Sequence, residues 1–143
     1  MKQSFKLWHK ILLTGAAFTV AIAGFMLKLP SVFRHIDKEM HSLFYFLAAA
    51  FLNILFAKRN LLVHALIFAL LYAFSVAIEY AQEYSNSFLH KRIHGNADPE
   101  DIYHNLLGLI AFSVLWILYI VIVFVYKALN PKLSPDDAAG RKP

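Results

Sequence analysis

The run LLGLIAFSVLWILYIVIVFVY, Leu106 to Tyr126, decides the fold class. It holds no charged side chain. At about 1.5 Å of rise per helical residue it is long enough to cross the roughly 30 Å hydrocarbon layer of a bilayer. Three further runs share its character. Ile11 to Leu27 is uncharged between Lys10 and Lys28, Met40 to Ala57 lies between Glu39 and Lys58, and Leu61 to Ile78 lies between Arg59 and Glu79. None alternates apolar with polar residues, as the strands of a membrane barrel must. The sequence therefore predicts an all-α, polytopic membrane protein with four transmembrane helices, at about 11–28, 40–57, 61–83 and 99–126. Together they form one four-helix domain over 1–129, and the Pro- and Asp-bearing segment 130–143 is expected to be a disordered tail.

Composition agrees. Of 143 residues, 59% are hydrophobic and 16% are charged, whereas soluble domains carry about 45–50% apolar and about 25% charged residues. The formal charge of +5 comes from 14 Lys and Arg against 9 Asp and Glu. That excess is no nucleic-acid footprint, because too few basic residues lie outside the apolar runs to build a binding face. The absence of cysteine excludes disulfides, thiolate nucleophiles and Cys-ligated metal sites.

Charge also orients the helices. Lys2, Lys6, Lys10, Lys58, Arg59, Lys127, Lys132, Arg141 and Lys142 fall on one side, against Lys28, Arg34, Lys38, Lys91 and Arg92 on the other. Loops rich in Lys and Arg stay in the cytoplasm, so both termini are expected inside. Ala21-Ile22-Ala23 reads like a signal-peptide cleavage site. The run continues past it, however, and Gly15, Thr19 and Ala23 form a small-residue stripe suited to helix contact, so a retained helix is the expectation.

The acids are sorted more sharply than the bases. Asp37, Glu39, Glu79, Glu83, Asp98, Glu100 and Asp101 all fall on the outer side, with only Asp136 and Asp137 elsewhere, and His35, His41, His90, His94 and His104 accompany them. Ionisable groups near a membrane core are expensive and face a bundle interior or a wet cavity. Spacing gives the group a shape. Asp37 and His41 share a face at the start of helix two. Glu79, Gln82 and Glu83 do so at the end of helix three, and Asp101, His104, Asn105 and Gly108 at the start of helix four. Gly108 permits a close helix contact just below. Asp98-Pro99-Glu100-Asp101 also reads as a helix start, with Asp98 as N-cap and acids in the first turn. Asn53 and His64, near the inner side, are expected to bond between helices. Trp8, Tyr80, Tyr84, Tyr103 and Tyr126 fit interfacial belts.

These residues carry a resemblance. Asp37-Lys38-x-x-His41, then Glu79-x-x-Gln82-Glu83, then Arg92 and Asp101-x-x-x-Asn105-x-x-Gly108 resemble the VanZ-like family of small bacterial membrane proteins, over roughly residues 30 to 112. The interval from Arg92 to Asp101 is longer than the family pattern. Phe112 stands where a second small residue often follows the glycine, which works against a close crossing there. The resemblance implies a multi-pass protein of the bacterial cytoplasmic membrane, in a family whose namesake is linked to teicoplanin resistance. It brings no settled activity.

Three functions suit this pattern. The first is binding of an anionic lipid or lipid-linked envelope precursor, with Arg92, Lys91 and Lys38 on phosphate and Gln82 and Asn105 as donors. The second is a metal-dependent hydrolase or transferase, whose divalent ion would draw on His41, Glu79, Glu83, Asp101 and His104, although no HExxH pair is present. The third is a structural polar network alone.

Overall fold

A computed structural model describes residues 6–26, 36–90 and 97–130 of the chain. Arg34, His35, Lys91, Arg92, His94 and the tail from residue 131 lie outside the described residues, as do residues 27 and 28 at the expected end of the first helix. The described chain is all-helical: α1 (Leu7–Met26), α2 (Asp37–Leu52, continued by a π-helical turn over Asn53–Ala57), α3 (Leu61–Leu89) and α4 (Pro99–Leu129). All four, counting the π turn with α2, are long and apolar enough to cross a membrane.

All four helices reach beyond the apolar runs that announce them, and the ends of α2, α3 and α4 explain why. Helix α2 begins at Asp37 because Asp37 and Glu39 complement the positive end of the helix dipole. Helix α3 runs to Leu89, so the segment from Tyr84, expected as loop, is helical to that point. Its serines and asparagine break nothing: Ser85 Oγ donates back to the Gln82 carbonyl, and Tyr84 stacks on Phe88. The helix stops only at His90, whose φ of 49° is left-handed. Helix α4 starts on the expected cap, Asp98 accepting from the Glu100 N–H with Pro99 in the first helical turn. It continues to Leu129 with Lys127 favourably placed in the last turn.

The helices bury polar and apolar side chains together and leave apolar ones on the outside. Along α2 the buried residues are His41, Tyr45, Ala49 and Leu52, and along α3 they are His64, Ile67, Leu71, Ser75, Ile78, Glu79 and Gln82. On the outside of α3, by contrast, Leu62, Leu66 and Leu70 form an exposed row. A protein whose exterior is solvated by lipid tails has this pattern, because small and polar side chains help to hold its helices together.

Helices α2 and α4 make the tightest contact. A Cβ built on Gly108 would lie 2.1 Å from the Ser42 carbonyl oxygen and 3.1 Å from the Phe46 nitrogen, so the two backbones touch there. Phe112 does not prevent this approach: its ring meets Phe46 edge-on, with centroids 5.7 Å apart, one turn further on. Helix α3 packs against both, and α2 turns into it through Lys58–Asn60. Asn60 caps α3 by accepting from the Leu62 and Val63 N–H groups. As expected, Asn53 and His64 bond across this hairpin, Oδ1 to Nδ1 at 2.8 Å. Helix α1 buries no residue completely. It touches the bundle through Phe18 on Phe74, Phe25 on Phe44, and Lys10, whose ammonium donates to the Leu55 carbonyl. Its small-residue stripe is exposed, and Thr19 Oγ1 donates to the carbonyl of Gly15 within the same helix.

Candidate functional site

At one end of the bundle α2 begins, α3 finishes and α4 begins. Six polar side chains meet at this polar end because three stripes of spacing four face one another: Asp37 and His41, Ser75 and Glu79, Asp101 and Asn105. His41, on α2, is the hub. Its Nδ1 donates to Asn105 Oδ1 at 2.9 Å, since an amide oxygen only accepts. Asn105 is itself fixed by donating from Nδ2 to Ser75 Oγ at 3.0 Å, which carries the chain of bonds from α2 through α4 to α3. With Nδ1 committed, His41 turns Nε2 towards two carboxylates. Asp37 Oδ1 and Asp101 Oδ2 each lie 4.0 Å away. Phe25 of α1 closes one side of the imidazole, its centroid 5.3 Å off.

Glu79 lies deeper, only 1% exposed. Its Oε2 accepts from the Asp98 backbone N–H at 3.3 Å, tying α3, nearly three turns before its end, to the cap of α4. Its Oε1 is buried without a hydrogen-bond partner among the described residues, and the carboxylate is within electrostatic range of Asp101 and His41. Tyr45 is fully buried one turn below His41, its hydroxyl beside Ser75 but outside hydrogen-bond geometry.

The structure thus brings together Asp37, His41, Glu79, Asp101 and Asn105 from the expected set. Others go elsewhere. Gln82 is buried but turns to α1, where Nε2 donates to the Phe25 carbonyl at 2.8 Å. Glu83 is exposed, so it is neither a partner for Glu79 nor a ligand candidate. The buried seam of α3 steps from Leu71 to Ser75, Ile78 and Gln82, averaging less than four residues, and four residues past Glu79 the helix face has rotated out of it. Lys38 pairs with Glu100 at the surface, where neither side chain is buried. Such pairs are worth little, at most about 1 kcal/mol. His104 bonds to Ser42, Oγ to Nδ1 at 3.4 Å, and its ring is not among the clustered ligand atoms of the described residues. Gly108 is the expected helix contact.

Of the groups able to hold a metal, Asp37, His41 and Asp101 offer ligand atoms within 4.8 Å of one another. Asp37 thereby joins His41 and Asp101, whereas Glu79, Glu83 and His104 of the expected ligand set fall outside that group among the described residues. Ser75 and Tyr45 join the site without having been expected there. Their signal is the spacing: each extends a polar stripe by one turn into an otherwise apolar run.

Comparison with protein-family models, with curated proteins and with solved structures finds no match. The site therefore has to be read from its own chemistry. A separate groove of about 460 Å³, lined by Phe46, Ile54, Phe112 and Trp116 among others, opens between α2 and α4 towards Lys58. It contains none of the clustered acids.

Proposed function

We propose that the chain is a VanZ-like, multi-pass protein of the bacterial cytoplasmic membrane. Both termini are inside, and the polar end faces outward as a binding site for the headgroup of an anionic lipid or lipid-linked envelope precursor. One observation carries this reading: buried ionisable groups from three helices converge at a single end of an apolar bundle. Burying such groups is costly. A chain that spends stability there, and among the described residues nowhere else to the same degree, uses them. The described part of the site is acidic. An anionic headgroup consequently needs a cation, and by sequence Lys91 and Arg92 stand just beyond the α3 cap, His90, and a few residues before Asp98. Gln82 and Asn105, expected as donors to a headgroup, each spend one of two amide N–H groups within the protein, so the cations carry most of the phosphate recognition. The link to teicoplanin rests on the resemblance alone.

The competing reading is a purely structural network, favoured by the unbroken His41–Asn105–Ser75 chain. Native mass spectrometry of the protein released from a mild detergent separates the two. On the binding reading, wild-type protein carries anionic phospholipid and Arg92→Ala loses most of it without a change in thermal stability. Protein that retains no lipid, together with an Arg92→Ala variant that is destabilised, would favour the structural network.

A further inference from the structure

Beyond headgroup binding, we propose that Asp37, His41 and Asp101 bind one divalent transition-metal ion, with Glu79 Oε1 accepting a hydrogen bond from a water on that ion. The site stands whether or not a lipid binds.

The donor set comes first. Two carboxylate oxygens and one imidazole nitrogen suit a borderline ion such as Zn²⁺ or Mn²⁺ better than Mg²⁺ or Ca²⁺, which prefer oxygen alone. Geometry agrees. Two ligands held at about 2.0–2.2 Å from one ion lie roughly 3.4 Å apart at the tetrahedral angle and at most about 4.4 Å apart. His41 Nε2 lies 4.0 Å from both Asp37 Oδ1 and Asp101 Oδ2, about 0.6 Å beyond the tetrahedral separation, so the carboxylates draw in by a few tenths of an ångström to close on one ion. At those distances neither carboxylate forms a hydrogen bond with the imidazole. An ion between them gives all three atoms a shared partner.

The surroundings are those of a ligand. A metal-bound histidine uses its other nitrogen to hold the ring in place. Here Nδ1 donates to Asn105 Oδ1, which leaves the Nε2 lone pair directed at the carboxylates, and Asn105 is locked by Ser75. Helix α2 supplies Asp37 and His41 from one face, and α4 supplies Asp101 across the tight Gly108 contact, so the site is preassembled by packing.

The independent observation is Glu79. Its side chain is 1% exposed, its Oε1 has no hydrogen-bond partner among the described residues, and it lies within electrostatic range of both His41 and Asp101. Buried polar atoms are almost always satisfied, and an orphan calls for an unseen partner. With three protein ligands the ion keeps an open position for water. A water there, donating to Oε1, satisfies the orphan, and the ion offsets the repulsion among three carboxylates gathered in one place.

The test uses the full chain, purified in detergent, stripped with a chelator and titrated with Zn²⁺ and with Mn²⁺. Wild-type protein is expected to take up one ion per chain by calorimetry and elemental analysis. Asp37→Asn and Asp101→Asn, nearly isosteric, should each weaken binding at least tenfold, while Glu83→Gln and His104→Ala leave it unchanged. Asp37 is only half-buried, so its variant keeps the test meaningful if Asp101→Asn fails to fold. Cobalt substitution adds a readout of ligand type, because loss of His41 nitrogen in His41→Leu alters the visible absorption. Folded wild-type protein that takes up no ion overturns the proposal, and so does an ion whose affinity ignores both aspartate substitutions.

Discussion

Gly108→Ala is expected to destabilise the protein by about 2–4 kcal/mol, at or above the usual range for overpacking a well-packed contact. The added methyl carbon would sit 2.1 Å from the Ser42 carbonyl oxygen and 2.9 Å from its carbon. Both are backbone atoms within α2, so no side-chain rotation can make room, and α2 and α4 must separate. Separation strains the contacts on either side, the His41–Asn105 bond one turn above and the Phe46–Phe112 edge contact one turn below. Gly15 and Gly24 provide the control. A Cβ at either would meet nothing within 4 Å. Alanine there should shift stability by no more than about 1 kcal/mol, and in the stabilising direction, through helix propensity alone. Equilibrium unfolding in a graded detergent mixture measures all three. Equal behaviour of the three variants would contradict the tight α2–α4 crossing.

Asn105→Leu should cost about 2–3 kcal/mol, for a different reason. A hydrogen bond between membrane helices is worth little on average, about 0.6 kcal/mol. Most of the cost comes from what the substitution leaves behind: the His41 Nδ1–H and Ser75 Oγ both lose the partner that Asn105 gives them in a buried site. An orphaned buried donor or acceptor costs roughly 1–3 kcal/mol, more than the bond itself contributes. The signature is non-additivity. His41→Leu combined with Asn105→Leu removes the orphaned imidazole along with its partner, so the double variant should be less unstable than the sum of the single ones. Strict additivity in the same unfolding assay would show that the two side chains do not act together.

The helices are legible in the sequence because charge brackets each apolar run, and a bilayer-length run without charge has few other uses. Their ends are not. Hydropathy stops where side chains become polar, whereas the backbone continues until a cap or a left-handed residue ends it, as His90 does for α3. The site is half legible for a related reason. Asp37, His41, Asp101 and Asn105 stand out as polar pairs at spacing four. Ser75 and Tyr45 share that spacing, four residues from Glu79 and from His41, but one serine or tyrosine in an apolar run looks ordinary until its neighbours in space are known. The same spacing rule puts Glu83 beside Glu79, yet Glu83 is exposed, since a seam of less than four residues per step carries the face away. The Lys38–Glu100 pair joins residues far apart in the chain, and no local pattern announces it.

That the polar end faces the outside of the cell is tested most directly by labelling single cysteines, for which the cysteine-free chain is already a clean background. Ser87, exposed near the end of α3, and Arg59, exposed in the turn between α2 and α3, mark opposite ends of the bundle. In intact cells, a membrane-impermeant maleimide is expected to label Ser87→Cys at once, and Arg59→Cys only after the membrane is permeabilised. Labelling of Arg59→Cys in intact cells, with Ser87→Cys protected, would place the clustered carboxylates and His41 on the cytoplasmic side and contradict an outward-facing site.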